Sequence, residues 1–320
     1  VAYMALGMVV FLLAVRVAEG VGSAFYVTSS LAALAKRVPA ERRGRYMGIY
    51  VNALLIGQII GPVVGGVVVL AAGIRAPFAA YSALAVVGFL LITFGMKTTR
   101  VAGMSAGVDR VAVIRLLRDR SYVLVNIGTM GTFFVRSGLI TTVIPLFIAF
   151  IWGVSQTEAI TFTGLLITTN ALASLFTLYP SGWLADRIGR KIPFVISLIA
   201  AGLVSPFLFF TRDLASAIPV MFVYGLALGF HGPLAAWATA LTPTDIMGTS
   251  MGLYRTLTDL GFLFGPGILA AVLEATMVAG HVTIVPFLVA SVWVIVSGLV
   301  MLAARDPVAE EWEGPTSEMI

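Results

Sequence analysis

Cysteine is absent from the 320 residues, and histidine occurs only at His231 and His281. The first absence excludes a disulfide framework and a thiolate metal site. The second leaves no HExxH pattern and no imidazole cluster, so neither a metal nor a cofactor is expected. Charge is scarce as well. Only 11% of the residues are Asp, Glu, Lys or Arg, against roughly 25% in a soluble domain. No cleavable secretory signal is recognisable. Apolar sequence fills the chain instead: 59% of the residues are hydrophobic and the mean hydropathy is +1.02. Apolar runs of about 20 residues, the length a helix needs to cross a bilayer, recur from end to end. The expected fold class is all-α, a polytopic helical protein with the lipid bilayer as its solvent.

Nine complete spans are expected, at about 8–35, 47–71, 77–96, 121–151, 159–180, 192–211, 215–240, 249–275 and 282–304, with ends good to a few residues. Residues 1–6 read as the tail of an earlier span. The longest polar interruption is 97–120, and the acidic end 305–320 reads as a disordered tail. Basic residues alternate with the turns. Lys36, Arg37, Arg42, Arg43 and Arg45 follow the first span; Lys97, Arg100, Arg110, Arg115, Arg118 and Arg120 occupy 97–120; Arg187, Arg190 and Lys191 sit in 181–191. These are 14 of the 20 Lys and Arg, and the positive-inside rule places their turns in the cytoplasm. The net charge of +5 is thus a topology signal and not a nucleic-acid surface. The turn 241–248 falls on the same side without a basic residue. The expected location is the plasma (inner) membrane, multi-pass.

An internal repeat is visible. PAERRGRYMGIYVNALLIGQIIGP, residues 39–62, aligns without gaps on PTDIMGTSMGLYRTLTDLGFLFGP, residues 243–266, with eight of 24 positions identical. Both copies run outward from a cytoplasmic turn, so they are parallel repeats, and two like-oriented halves around a central site are a transporter plan. Residues 1–96 are then the remnant of an N-terminal bundle, 97–120 the central cytoplasmic loop, 121–304 a C-terminal six-helix bundle and 305–320 a cytoplasmic tail. The same offset puts the start of the first half about 80 residues before Val1, so an N-terminally truncated chain is expected.

Three motifs sharpen this reading. In GQIIGPVVGG, residues 57–66, Gly57, Gly61 and Gly65 share one helix face at spacing four, with Pro62 and Gly66 beside them. Missing side chains on such a face let another helix approach closely. GWLADRIGRK runs from Gly182 to Lys191 through Asp186, Arg187, Gly189 and Arg190. RVAEGVGSA carries Arg16, Gly20 and Gly22, with Glu19 between. The first motif resembles the antiporter signature of the major facilitator superfamily. The second is similar, position for position, to that family's cytoplasmic-loop motif G-x-L-A-D-R-x-G-R-K. The third resembles its helix-4 motif, with Glu19 where Gln is more usual. The resemblance implies helices 4–12 of a 12-helix transporter, and a latch in which Asp186 accepts from N–H groups at a neighbouring helix N-terminus and pairs with Arg187 or Arg190. A basic loop that only fixes topology is the plainer reading of the same residues.

Charges inside spans are costly and demand a partner or a wet cavity. Arg16, Glu19, Ser23, Tyr26 and Ser30 form one polar stripe; Asn126, Thr129, Phe133 and Arg136 a second; Thr163, Asn170, Ser174 and Thr177 a third. Arg255 and Asp259, at i and i+4, pair on one face. Glu19 and Asp259 are the candidates for proton exchange, with self-neutralised structural pairs as the alternative. Glu274 reads as interfacial, His231 as a helix contact, and Trp183, Trp237 and Trp293 as anchors or packing. The resemblance implies a secondary active transporter that exports a small molecule in exchange for protons, as a monomer. An uptake symporter or facilitator, a membrane-embedded enzyme and a non-transporting fragment are the alternatives.

Overall fold

A computed structural model describes residues 10–23, 25, 26, 53, 56, 57, 60–95, 110–229, 234–243, 246–278 and 280–307. The chain divides into two compact units, Val1–Gln58 and Ile59–Ile320. The first contains helix α1 (10–23). The second contains α2 (Ile60–Ala72), α3 (Ala76–Gly95), α4 (Arg110–Arg118), α5 (Arg120–Val135), a π-helical segment Arg136–Val143, α6 (Ile144–Ile151) and α7 (Gln156–Ile188). It continues with α8 (Lys191–Val204), a 3-10 turn Ser205–Phe210, α9 (Leu214–Leu228), α10 (Leu234–Ala240), α11 (Met247–Thr276) and α12 (Val285–Met301). No strand occurs among the described residues, only an isolated bridge between Val278 and His281.

Five of the described helices are long and apolar enough to cross a membrane: Ala76–Gly95, Arg120–Ile151, Gln156–Thr177, Lys191–Phe210 and Thr249–Thr276. Short polar side chains start several helices. Asp119 accepts from the Tyr122 N–H at 2.9 Å. Ser155 and Glu158 form a capping box at the head of α7, and Asp213 does the same with Ser216 at the head of α9. Each supplies an acceptor to N–H groups that have no partner within their own helix.

Between spans no hydrophobic force is at work, because lipid is as apolar as leucine; packing and small residues hold the bundle together. α11 lies against α5 and the π segment, α7 against α9, and α12 against α8 and α5. A Cβ at Gly261 or Gly265 would run into the Met130 and Phe134 carbonyls of α5. These two glycines are the second-half counterparts of Gly57 and Gly61. At one end of the bundle the Tyr122 hydroxyl donates to the Ser250 carbonyl at 2.7 Å, and Thr242 and Ser250 share a 2.7 Å hydrogen bond. At the other end Phe147, Phe209 and Phe287 form an aromatic triangle with centroids 5.3 to 5.9 Å apart.

The elements depart from the sequence expectation in four places. The 181–191 turn is mostly helix: α7 runs on to Ile188, about 50 Å in all at 1.5 Å per residue, past the roughly 30 Å hydrocarbon core. The turn shrinks to Gly189, at φ +85°, and Arg190. The polar stretch 97–120 contains α4, whose Ala112 and Leu116 pack beside Tyr122, Ala238 and Ile246. The expected 121–151 span is not uniformly α-helical. At its π segment the Ile144 N–H bonds to Leu139 O, five residues back, just before Pro145, which has no N–H to give. The acidic end begins as ordered structure, with Asp306 only 4% exposed; residues 308–320 lie outside the described residues.

Candidate functional site: a polar pocket between α5, α7 and α9

α5 and the first π residue contribute Thr132, Phe133 and Arg136 to one pocket, α7 contributes Asn170 and Ser174, and α9 contributes Leu228. Arg136, Asn170 and Ser174, marked in the sequence as costly inside apolar spans, therefore converge. The helices approach closely at two glycines, Gly225 in α9 and Gly229 just after it, which carry no side chain. A Cβ at Gly225 would strike the Asn170 carbonyl and Ala173, and one at Gly229 the Ser174 carbonyl and Thr177. Across this seam the Ser174 hydroxyl donates to Asn170 O at 2.9 Å and to Gly225 O at 3.0 Å. Arg136 opens the π segment; such local unwinding is frequent at functional sites.

Among the described residues, two buried polar atoms near the pocket lack hydrogen-bond partners: Asn170 Nδ2 and the Tyr224 hydroxyl. Tyr224 lies within electrostatic reach of the Arg136 guanidinium. It sits one turn before Leu228, on the same face of α9. The Phe133 ring meets Phe262 of α11 with centroids 5.1 Å apart. Asp259, three residues before Phe262, shares that face, so the Arg255–Asp259 face of α11 borders the Phe133 wall. The pair itself is made, Arg255 Nε to Asp259 Oδ2 at 3.0 Å.

The other sequence candidates lie elsewhere. Asn126 is 1% exposed and donates to Tyr122 O at 2.8 Å, outside the pocket lining. In the first unit, Arg16 pairs with Glu19 at 2.6 Å, with Ser23 and the exposed Tyr26 further along; Gly57 also belongs to that unit. Within the second unit, α2 meets α7 through Pro62 and Gly66. The Thr161 hydroxyl donates to Gly66 O at 3.2 Å, and a Cβ at Gly164 would strike the Pro62 carbonyl. Among the described residues of that unit, a Cβ at Gly61 or Gly65 meets nothing within 4 Å. His231 lies outside the described residues. Trp237 is fully buried and donates to Arg305 O at 3.0 Å.

In the loop motif, Gly182 lies in the last turns of α7, and the side chain of Asp186 lies outside the described residues. Arg187 stacks over the Trp183 ring at 4.1 Å. The α8 N-terminus is capped by Asp306, which accepts from the Arg190 N–H and, at 2.8 Å, from the Lys191 N–H. Sequence reasoning missed this residue because it assigned Asp306 to the tail; the available signal was an Asp-Pro pair directly after a span.

Apolar helices packed through glycine seams around a pocket with buried polar groups are the build of a helical membrane protein, and one that membrane transporters use. The sequence comparison is more specific. The model of the Major Facilitator Superfamily matches residues 1–266 and 125–319, and the chain belongs to that family, a family of transporters and not of enzymes. It is 25% identical over 297 residues to the uncharacterised MFS-type transporter YuxJ of Bacillus subtilis, covering 90% of this chain and 72% of that one. It is 24% identical over 275 residues to the synaptic vesicular amine transporter of Homo sapiens, covering 83% of this chain and 51% of the relative. It is 25% identical over 251 residues to the multidrug resistance protein MdtG of Salmonella paratyphi C, covering 77% and 61%. The chain thus spans about half the length of the amine transporter. The crystal structure of a bacterial homolog of the human lysosomal transporter Spinster, inward-facing and occupied, superposes with a TM-score of 0.62 at 13% identity, covering 85% of this chain and 72% of that chain.

Proposed function

We propose that the chain is a proton-coupled exporter of a small molecule, working by alternating access in the plasma membrane as a monomer. In this reading residues 1–96 and 121–304 are two like-oriented bundles holding nine complete spans, helices 4–12 of 12. They are joined by 97–120 and followed by the cytoplasmic tail 305–320; transport works by alternating access, with the Arg136–Asn170–Ser174 pocket inside the C-terminal bundle. That pocket is the observation that carries the reading, because buried polar groups inside spans mark substrate and ion pathways. The name of the multidrug relative supports efflux, and the antiporter-like Gly57–Gly66 stretch points the same way. Glu19 and Asp259 each pair with an arginine one turn away. A carboxylate so placed exchanges a proton when substrate or conformational change displaces its partner. Gly182, Asp186, Arg187, Gly189 and Arg190 form the cytoplasmic latch.

The test is uptake into everted membrane vesicles energised by respiration, with radiolabelled 1-naphthoate, 1-naphthamide and 1-naphthylmethylamine and a luminal pH dye. Antiport gives accumulation of at least one probe with alkalinisation of the lumen, and Asp259→Asn or Glu19→Gln uncouples the two. Protons moving in the same direction as the probe would replace export by symport. Uptake no greater than in vesicles lacking the protein would overturn the transporter reading for this chain.

A further inference from the structure

We infer that the α5–α7–α9 pocket recognises a carboxylate on its substrate, so that the cargo is a small organic acid with an apolar body and not an amine. The inference rests on the transporter reading and names the substrate class of that same site.

The pocket offers donors. Arg136 contributes a guanidinium whose planar fork matches the two oxygens of a carboxylate. Asn170 is 6% exposed, and its Nδ2 has no hydrogen-bond partner among the described residues. The Tyr224 hydroxyl, fully buried, is likewise without one and lies within electrostatic reach of Arg136. Buried polar groups are normally satisfied, so two orphans flanking one arginine point to an acceptor that arrives from outside. The hydroxyls of Ser174 and Thr132 already donate to helix carbonyls and do not compete for it. The six described lining residues include no carboxylate. An ammonium group would set a second cation against Arg136 and bring donors to a site that supplies donors. Phe133, backed by Phe262, and Leu228 give the body of the acid an apolar wall. Because the group recognised is charged, the site discriminates against the matched amide as well as the amine.

The experiment is binding to the purified full chain in detergent micelles, read by calorimetry. Three matched sets serve as probes: benzoate, benzamide and benzylamine; 1-naphthoate, 1-naphthamide and 1-naphthylmethylamine; octanoate, octanamide and octylamine. In at least one set the carboxylate is expected to bind at least about tenfold more tightly than its amide and amine. Arg136→Gln is expected to weaken that carboxylate by about 30-fold or more while leaving the amide within about twofold, and Arg136→Lys to keep the carboxylate preference. Asn170→Ala removes one donor and is expected to weaken carboxylate binding by about 5- to 20-fold. Elution position on size exclusion checks that each variant is folded. Absence of carboxylate preference in all three sets, or a preference untouched by Arg136→Gln in a folded chain, overturns the inference. The two readings fail separately. Arg136-dependent carboxylate binding without vesicle uptake sinks transport alone. Coupled uptake of the amide or amine, unaffected by Arg136→Gln, sinks the carboxylate alone.

Discussion

Asp306 gives the most direct test of the packing. Its carboxylate, 4% exposed, takes the backbone N–H groups of Arg190 and Lys191 at the head of α8. It thereby ties the end of α12 to the start of α8. Asp306→Ala strands both donors. A buried donor left unsatisfied costs about 1–3 kcal/mol, and lost helix caps cost about 0.5–2 kcal/mol. Arg190 and Lys191 are half-buried, so water recovers part of the loss, and about 2–3 kcal/mol is expected in total. Asp306→Asn keeps an acceptor oxygen but removes the charge that favours a helix N-terminus, about 1 kcal/mol. At about 2–4 °C per kcal/mol for a unit of this size, thermal unfolding in detergent should fall by roughly 5–10 °C for Ala and 2–4 °C for Asn. Fluorescence-detected size exclusion after heating reads the shift. Glu274→Ala, at the exposed end of α11, serves as the control. An alanine variant as stable as the control, or an asparagine variant less stable than the alanine one, would refute the capping argument.

Three further outcomes follow from the same contacts. Gly225→Val pushes a side chain into the Asn170 carbonyl and Ala173; the overpacking costs about 1–3 kcal/mol, whereas Gly88→Ala, where a Cβ meets nothing within 4 Å among the described residues, is not expected to destabilise. Equal melting shifts for the two would remove the seam as an explanation. The backbone N–H of Ser216, and then its hydroxyl, donate to Asp213 and hold its carboxyl below the usual range. Its stabilisation is therefore present above the unfolded pKa of about 4 and is lost as the pH falls through the folded value. Asp213→Asn should melt below wild type at neutral pH and approach it in acid; a gap independent of pH would contradict this. Ser155→Ala should lose about 1 kcal/mol from the capping box of α7, with Ser155→Asp recovering most of it in the same melting assay; failure of Asp to recover stability would argue against the cap.

The parts of the fold that were legible are those where a residue is expensive for its surroundings. Arg136, Asn170 and Ser174 stand out because polar groups in apolar spans must be compensated, and they are the residues the folded chain gathers into one pocket. Thr132 and Leu228 complete that pocket, and Tyr224 lies one turn before Leu228, without standing out. A threonine bonded to its own helix, a leucine or a tyrosine in an apolar span costs nothing until a neighbour is specified. Helix contacts were partly legible for a related reason. Gly225 and Gly229 stand four apart, a pattern as plain as Gly57 and Gly61, yet which helix a glycine face meets depends on tertiary geometry. In α2 the approach to α7 runs through Pro62 and Gly66, one position round from the glycine face. Asp306 shows the converse. Its charge was legible and its role was not, because a charge just past a span is cheap in water and acquires structural value only when the α8 N-terminus is brought to it. The residues whose presence costs free energy locally are therefore the ones whose compensation must be supplied by the fold or by a ligand. At Arg136 the fold supplies the neighbours, and at Asn170 Nδ2, which has no partner among the described residues, the proposed carboxylate supplies the last hydrogen bond.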